Sequence, residues 1–217
     1  NYSFGFKTPT LNQLSNRPDG SEGFNDLQPQ LADNYEIGLK STGSSFIAEV
    51  AAFYIETTND LVPYELAQFP NRTFYRNVGE TNRYGVESSL TVIIKNLVLA
   101  GTYTFSRFTY GDVTIDNESL AGKLLPGIPQ HFANLNCQYN WQGLEAELNL
   151  NYSGSLFADD LNLTPVDHYL LANFRASYEI ERKKITIKPY LAINNLLNTR
   201  YFDNIRINAF GERFYEP

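Results

Sequence analysis

Arginine and aromatic side chains that could bind a small, oxygen-rich ligand are concentrated in one short stretch of the chain. Residues 72–76 read Arg-Thr-Phe-Tyr-Arg, and Arg107 lies near the end of a later segment. A guanidinium group offers paired donors to carboxylate or catecholate oxygens, and it also stacks on aromatic rings. The sequence therefore predicts a ligand contact at Arg72, Tyr75 and Arg76, with Arg107 as a secondary contact. The alternative is that these arginines pair with acidic residues of neighbouring loops.

Other residues with catalytic or metal-binding chemistry are few and scattered. His131 and His168 are too far apart in sequence to form a local ligand pair. Asp159 and Asp160 could offer oxygen ligands to Ca²⁺, although a solvated loop tip is the simpler interpretation. The chain has one cysteine, Cys137, which we expect to act as a small apolar side chain. No nucleophile elbow, phosphate-binding loop or Cys/His metal spacing is found, so we expect no enzyme, no metal and no cofactor.

The elements that must position the candidate site are predicted to be β-strands, because apolar and polar residues alternate along most of the chain. Each alternating segment has about ten residues, which is the length that a tilted strand needs to cross a bilayer. Nine strands are predicted, at residues 1–6, 34–40, 45–56, 83–93, 97–109, 131–141, 143–154, 168–180 and 184–194.

Short and long connections alternate between these strands. The short turns are predicted at residues 41–45, 95–96, 141–143 and 181–183, and the long connections at residues 7–33, 57–82, 110–130, 155–167 and 195–217. In an antiparallel meander all short turns then lie at one edge and all long loops at the other. That asymmetry is typical of bacterial outer-membrane barrels.

A soluble antiparallel sandwich would also show alternating apolar and polar residues. The residue types on the two faces of the strands therefore distinguish a sandwich from a membrane barrel. The polar face carries charges and amides at most positions, as the wall of a wet lumen would, and Glu87 is expected on that face. The apolar face ends in aromatic residues near both edges, which is typical of a membrane barrel. The apolar residues expected to face lipid are Leu148, Leu150, Phe174, Ile187 and Leu191.

Composition sets further limits. With 17 basic and 24 acidic residues the formal net charge is −7, which argues against a nucleic-acid partner. Tyrosine and phenylalanine occur 15 times each, which suits interfacial belts and aromatic binding loops. We interpret residues 1–217 as a single domain.

Six segments also resemble, in order, the C-terminal part of the barrel of TonB-dependent outer-membrane receptors. They include Phe-Gly-Phe-Lys-Thr-Pro-Thr-Leu-Asn-Gln-Leu at residues 4–14, and residues 27–40, which begin with Leu-Gln-Pro and end with Asn-Tyr-Glu-Ile-Gly-Leu-Lys. The others are at residues 51–61, at residues 77–87 with Asn-Val-Gly and Gly-Val-Glu, at residues 126–131 with Pro-Gly-Ile-Pro-Gln-His, and at residues 193–201.

This resemblance implies about two-fifths of a plugged barrel of 22 strands in the outer membrane of a Gram-negative bacterium. The plug, with its TonB box, and the last strand are expected to lie outside this sequence. The implied function is import of a scarce nutrient, most simply a ferric siderophore, with TonB acting through the plug. Outer-membrane lipid and lipopolysaccharide are the further expected partners. A passive porin and an outer-membrane barrel hydrolase are the alternatives.

Overall fold

The computed structural model describes residues 1–115, 117–202 and 204–209, and the backbone alone at Pro70 and Asn71. These described residues form one short helix and fifteen strands. The strands of the main sheet are β1 (Tyr2–Lys7), β2 (Gln30–Thr42), β3 (Phe46–Leu66), β4 (Phe69–Ile94), β5 (Leu97–Tyr110), β8 (His131–Trp141), β9 (Leu144–Ser153), β12 (Tyr169–Tyr178) and β15 (Tyr190–Ile193). The shorter elements are α1 (Leu11–Ser15), β6 (Thr114–Ile115), β7 (Glu118–Ser119), β10 (Leu156–Phe157), β11 (Pro165–Val166), β13 (Ile180–Arg182) and β14 (Ile185–Ile187).

The main sheet, called the wall below, has nine antiparallel strands in the order β1-β2-β3-β4-β5-β8-β9-β12-β15. Each wall strand pairs with the next wall strand along the chain, so the sheet contains no crossover. The remaining strands form the small hairpins β6–β7, β10–β11 and β13–β14. This confirms the predicted all-β antiparallel meander. Among the described residues, no helix is long and apolar enough to cross a membrane.

Strand register places the predicted apolar residues on one face of the wall. Leu148 is directly opposite Cys137 on one side and Phe174 on the other, and Leu150 is opposite Ala172. Directly opposite residues share a face, so the expected apolar face of these strands is confirmed. We call it the outer face, and the polar side the inner face.

The short turns define one edge of the wall, which we call the turn rim. They lie at residues 43–45, 95–96, 142–143 and 183–184. Gln142 and Gly143 both have positive φ angles, 46° and 83°, as the two central residues of a type I′ hairpin turn require. The longer connections lie at the opposite edge, the loop rim, as the alternation of short and long connections predicts.

The predicted loop at residues 57–82 is wrong. Strands β3 and β4 continue through this stretch as a hairpin, called the arm below, with a register shift between Glu65 and Leu66 and its turn at residues 67–68. Threonine, valine and aromatic residues are frequent here and favour strands, which outweighs the turn-forming pair Asn59-Asp60. Pro63 is tolerated because β2 pairs with β3 only up to Thr58. Beyond Thr58, the edge of β3 that faces away from β4 has no partner strand and needs no N–H donor.

The last predicted hairpin is also interrupted. Residues 168–180 and 184–194 were each expected as one strand, but each is divided, into β12 with β13 and into β14 with β15. Pro189 stands at one break and lacks the N–H that a continuous ladder needs. Its carbonyl oxygen still accepts a hydrogen bond from the Tyr178 amide at 3.1 Å. Ile187 therefore lies in the small β13–β14 hairpin beyond the wall.

Two long connections at the loop rim contain small hairpins that the sequence analysis missed. Hairpin β6–β7 lies between β5 and β8, and β10–β11 lies between β9 and β12. The connection from β1 to β2 contains α1, whose start is fixed by a capping box between Thr10 and Gln13. Residues 210–217 of the last predicted loop lie outside the described residues.

Candidate functional site

Arg76 lies on β4 within the arm, on the side that faces the other loops. Its guanidinium carbon is 4.9 Å from the centroid of the Tyr64 ring. Its Nη2 atom is 3.5 Å from the Oδ2 atom of Asp160, in the connection between β9 and β12. Arg76 therefore joins the arm to a neighbouring loop and keeps one face on an aromatic ring.

Arg72 lies nearer the tip of the arm and contacts two aromatic rings. Its guanidinium carbon is 5.5 Å from the centroid of Phe69 and 5.2 Å from that of Phe74, and its Nε donates a hydrogen bond to Asn16. The rings of Phe74 and Tyr64 are themselves 5.9 Å apart. The two arginines therefore end a continuous cation–aromatic stack, which we call the arginine stack: Arg72, Phe74, Tyr64 and Arg76.

The structure does not bring the other two predicted site residues into this stack. Tyr75 is opposite Pro63 and follows Phe74 along the strand, so alternation turns it to the other side of the arm. Arg107 is opposite Tyr84 on β4, and Tyr84 is opposite Tyr54 on β3. Arg107 is therefore exposed on the outer face.

A row of tyrosines crosses the outer face at the level of Arg107. Tyr2, Tyr35, Tyr54 and Tyr84 are successive cross-strand partners on the first four wall strands. The Tyr2 hydroxyl donates to Asp33 and the Tyr54 hydroxyl to Asn82, each at 2.6 Å. A tyrosine whose ring is apolar and whose hydroxyl meets polar groups suits an interfacial belt.

Buried charge supports the base of the arm. The Asp60 carboxylate accepts hydrogen bonds from Arg83 and, at 3.1 Å, from the Thr81 hydroxyl. Asp160 accepts a hydrogen bond of 2.6 Å from the Tyr110 hydroxyl. Burial and the neighbouring Asp160 carboxylate raise the pKa of Tyr110, so its hydroxyl remains a hydrogen-bond donor.

These side chains surround a small apolar core at the loop rim, which we call the rim core. Its members are Val62, Val78, Tyr110, Val113, Leu120 and Leu125. They come from the arm, from the end of β5 and from the connection that follows β5. The rim core therefore fixes the arm against the next loop.

A cavity of about 490 Å³ opens between the arm, hairpin β6–β7 and the connection from β9 to β12. Ligand-binding cavities commonly have volumes in the range of about 300–1,000 Å³. Its polar and aromatic lining includes Tyr64, Glu65, Arg76, Glu118, Asp159 and Asp160. Tyr64 and Arg76, at one end of the arginine stack, thus form part of a concave site at the loop rim.

The carboxylates of Asp159 and Asp160, considered above as possible Ca²⁺ ligands, already accept hydrogen bonds within the protein. Asp159 accepts hydrogen bonds from the backbone amides of Leu163 at 3.1 Å and Thr164 at 2.6 Å. Asp160 contacts Tyr110 and Arg76 as described above. In the described part of the chain, no group of three or more His, Cys, Asp or Glu side chains could hold a metal ion.

The two histidines contact aromatic side chains at different places. Nδ1 of His131 is 2.9 Å from the Tyr103 hydroxyl, and its ring centroid is 5.4 Å from that of Phe105. The His168 ring centroid is 6.1 Å from that of Tyr152. Each histidine is thus explained by its local ring contacts.

Several lining residues were missed by the sequence analysis. Tyr64, Glu65 and Glu118 lie in segments that showed no motif, and they meet only through the three-dimensional arrangement of the loops. Asn208 is similarly remote in sequence, yet its Nδ2 atom donates to the Pro63 carbonyl at 3.1 Å. The local signals for this site were the Arg-Thr-Phe-Tyr-Arg stretch and the Asp159-Asp160 pair, which was considered only as a possible Ca²⁺ ligand.

The wall and its loop rim match proteins that are already known. The curated ferrioxamine receptor of Yersinia enterocolitica is 26% identical over 182 residues, which cover 81% of this chain and 24% of that receptor. The siderophore receptor PiuA from Acinetobacter baumannii superposes with a TM-score of 0.68 at 24% identity, over 93% of this chain and 30% of that one. The copper transporter OprC superposes with a TM-score of 0.71 at 16% identity, over 93% and 31% of the two chains.

The chain thus spans about a quarter of the curated receptor that it matches. These relatives are named as receptors or transporters and not as enzymes, so the hydrolase alternative is not favoured. The family model described as the β-barrel of TonB-dependent receptor-like proteins matches residues 1–196. Members of this family are outer-membrane proteins of Gram-negative bacteria, in agreement with the expected location. The chain belongs to the TonB-dependent receptor family, of whose β-barrel it is a part.

Proposed function

We propose that the whole receptor takes up a ferric siderophore across the outer membrane, and that this chain supplies part of the barrel wall and of the external binding site. The observation that carries the proposal is the cavity of about 490 Å³ at the loop rim, with the arginine stack at its edge. The names of two relatives support the ligand class, since one is a ferrioxamine receptor and one a siderophore receptor.

In this proposal the arginine stack contacts the oxygen-rich centre of the ferric chelate. The guanidinium groups of Arg72 and Arg76 offer planar sets of N–H donors, which suit oxygen atoms that surround a metal ion. The rings of Phe74 and Tyr64 hold both cations in place, so that little side-chain freedom is lost on binding. Tyr75 would join the site from the other side of the arm.

The other proposed partners are TonB, suggested by the family, and lipid with lipopolysaccharide, suggested by the apolar outer face. TonB would act through the plug domain of the whole receptor, and the ligand would then pass along the inner face of the wall. The outer face would contact lipid, and its tyrosine row would meet the lipid headgroups and lipopolysaccharide. Arg107 stands in this row and could contact a lipopolysaccharide phosphate in place of the siderophore.

The test is binding and uptake of a panel of ⁵⁵Fe-labelled siderophores by cells that express the whole receptor. We expect at least one ferric siderophore to bind, and the double variant Arg72→Ala/Arg76→Ala to bind it about ten- to hundred-fold more weakly, from the loss of charge-assisted contacts. Arg107→Ala is the matched control, and we expect it to bind nearly as the wild type does. Binding of a sugar or a free metal ion, without binding of any siderophore, would contradict the proposed ligand class.

A further inference from the structure

The charge of the cavity at the loop rim points to the kind of siderophore that fits. Its charged lining consists of four carboxylates, Glu65, Glu118, Asp159 and Asp160, and one guanidinium, Arg76. Arg76 already contacts Asp160 at 3.5 Å. Among the described lining residues, an anionic group in this space would therefore meet more carboxylates than cations, and like charges at short distance repel strongly where water is partly excluded.

The four carboxylates differ in how many hydrogen-bond and ion-pair partners they already have within the protein. The Asp159 carboxylate accepts hydrogen bonds from two backbone amides. The Asp160 carboxylate accepts a hydrogen bond from the Tyr110 hydroxyl and forms an ion pair with Arg76. Glu65 lies 3.8 Å from Arg206. Glu118, on the small hairpin β6–β7, is exposed, and its side-chain carboxylate has no hydrogen-bond or ion-pair partner among the described residues.

The arginine stack lies at the edge of this cavity, with Arg76 in its lining and Arg72 nearer the tip of the arm. The site therefore has two chemically different parts: donors and aromatic rings along the arm, and carboxylates in the cavity beside it. A ligand that matches both has an oxygen-rich centre and a positively charged extension. A uniformly anionic chelate matches the first part only.

We propose that the ligand of this receptor is a ferric chelate with a cationic tail, such as a primary ammonium group, which enters the cavity beside Glu118. This rests on the proposed function, because it assigns the ligand class of the same site. It also changes the expectation drawn from the arginines alone, which favoured a carboxylate or catecholate anion. Apolar residues of the cavity, among them Leu120 and Leu161, would contact the methylene groups of such a tail.

The experiment compares three ligands that share one ferric trihydroxamate centre and differ only at the tail. The first has a free primary ammonium, the second has that amine acetylated, and the third has it succinylated, which leaves a carboxylate. With the whole receptor, we expect affinity to fall in that order, by about two- to five-fold at each step, as for a partly exposed charge pair. Equal affinities, or tightest binding of the succinylated ligand, would overturn the inference.

A pair of isosteric variants locates the effect. We expect Glu118→Gln to bring the ratio of ammonium to acetylated affinity close to one, because the affinity for the ammonium ligand falls more than the affinity for the acetylated ligand. Glu181→Gln, an exposed glutamate at the turn rim, should keep the wild-type ratio. A wild-type ratio in Glu118→Gln would reject the assigned contact. Failure of all ferric chelates to bind would instead reject the proposed function itself.

Discussion

The wall and the loop rim of this chain use apolar side chains in opposite ways. On the outer face of the wall, Ile37 and Leu39 leave 73% and 75% of their surface exposed, whereas Val78 and Leu120 in the rim core expose 2% and 1%. Within the described residues, the wall is one sheet thick and no second layer covers its outer apolar face. The loop rim covers its own apolar residues, as a small water-soluble domain does.

The same contrast holds for charges. The Asp60–Arg83 pair at the loop rim is largely buried, with 7% and 23% of the side-chain surfaces exposed, while the Lys40–Glu49 pair on the inner face of the wall exposes 66% and 46%. A buried charge depends on its partner far more than an exposed one, because water cannot replace the partner. Substitutions can therefore test whether the two regions differ as described.

The largest effect is expected at Asp60. Asp60→Ala leaves Arg83 without its carboxylate partner in a poorly hydrated position, and we expect a loss of about 3–5 kcal/mol in the stability of the loop rim. Hydrogen exchange of the arm amides in the whole receptor measures this loss. Asp60→Asn, which keeps an oxygen acceptor, should lose less, and unchanged protection in Asp60→Ala would show that the pair carries no such dependence.

The second effect tests the outer face of the wall. Leu148→Arg places a charge among Cys137 and Phe174, and we expect it to lower the unfolding free energy in lipid vesicles by about 2–4 kcal/mol if this level is near the bilayer centre. Asn149→Arg, on the inner face of the same strand, is the control and should cost much less. Equal costs for the two variants would mean that the faces do not meet different solvents.

The third effect concerns close packing within the wall. A Cβ atom at Gly85 would overlap the carbonyl oxygen of Phe105 and lie 2.7 Å from the Phe53 ring, whereas one at Gly101 would have its nearest neighbour at 3.7 Å. We expect Gly85→Ala to cost about 1–3 kcal/mol through overpacking, and Gly101→Ala to be tolerated. Urea unfolding of the two refolded receptors, side by side, compares these costs.

The smallest effect is expected at the exposed ion pair of the wall. Lys40→Ala removes the contact with Glu49, and we expect a change below about 1 kcal/mol because both side chains are well hydrated. Unfolding at low and high salt measures it, and the difference should shrink as salt screens the pair. A loss as large as that of Asp60→Ala would remove the distinction between the two regions.

The difference between the regions also explains which features the sequence could predict. The wall follows a two-residue period set by the strand itself, so its faces, its turns at residues 95–96 and 142–143 and its chain order were all predictable from local pattern. The arm was not, because residues 57–82 combine strand-forming side chains with Asn59 and Pro63, which usually end strands. The predicted strand at residues 184–194 is divided in the structure. Pro189, which lacks an N–H donor, was the local signal for this break.

The candidate site was predictable only in part, for the same reason. Arg72 and Arg76 are close in sequence and share one stack, so a local pattern was enough to find them. Arg107 was assigned to the ligand site by its chemistry alone. It lies two residues after Phe105 along β5, and residues two apart on a strand share a face, so the sequence already places Arg107 on the outer face with Phe105. Glu65 and Glu118 belong to different connections, and only the folded loop rim brings them into one cavity.

The order of the wall strands has a consequence for the assembly of the protein. Every wall strand pairs with its chain neighbour, so the wall can grow one hairpin at a time, and each step closes only the connection between two neighbouring strands. The loop rim joins segments that are much more distant, such as Asn208 and Pro63, which are separated by 145 positions. We therefore expect the ligand site to form last, so that a receptor halted during insertion would already hold its place in the membrane and still be unable to recognise its cargo.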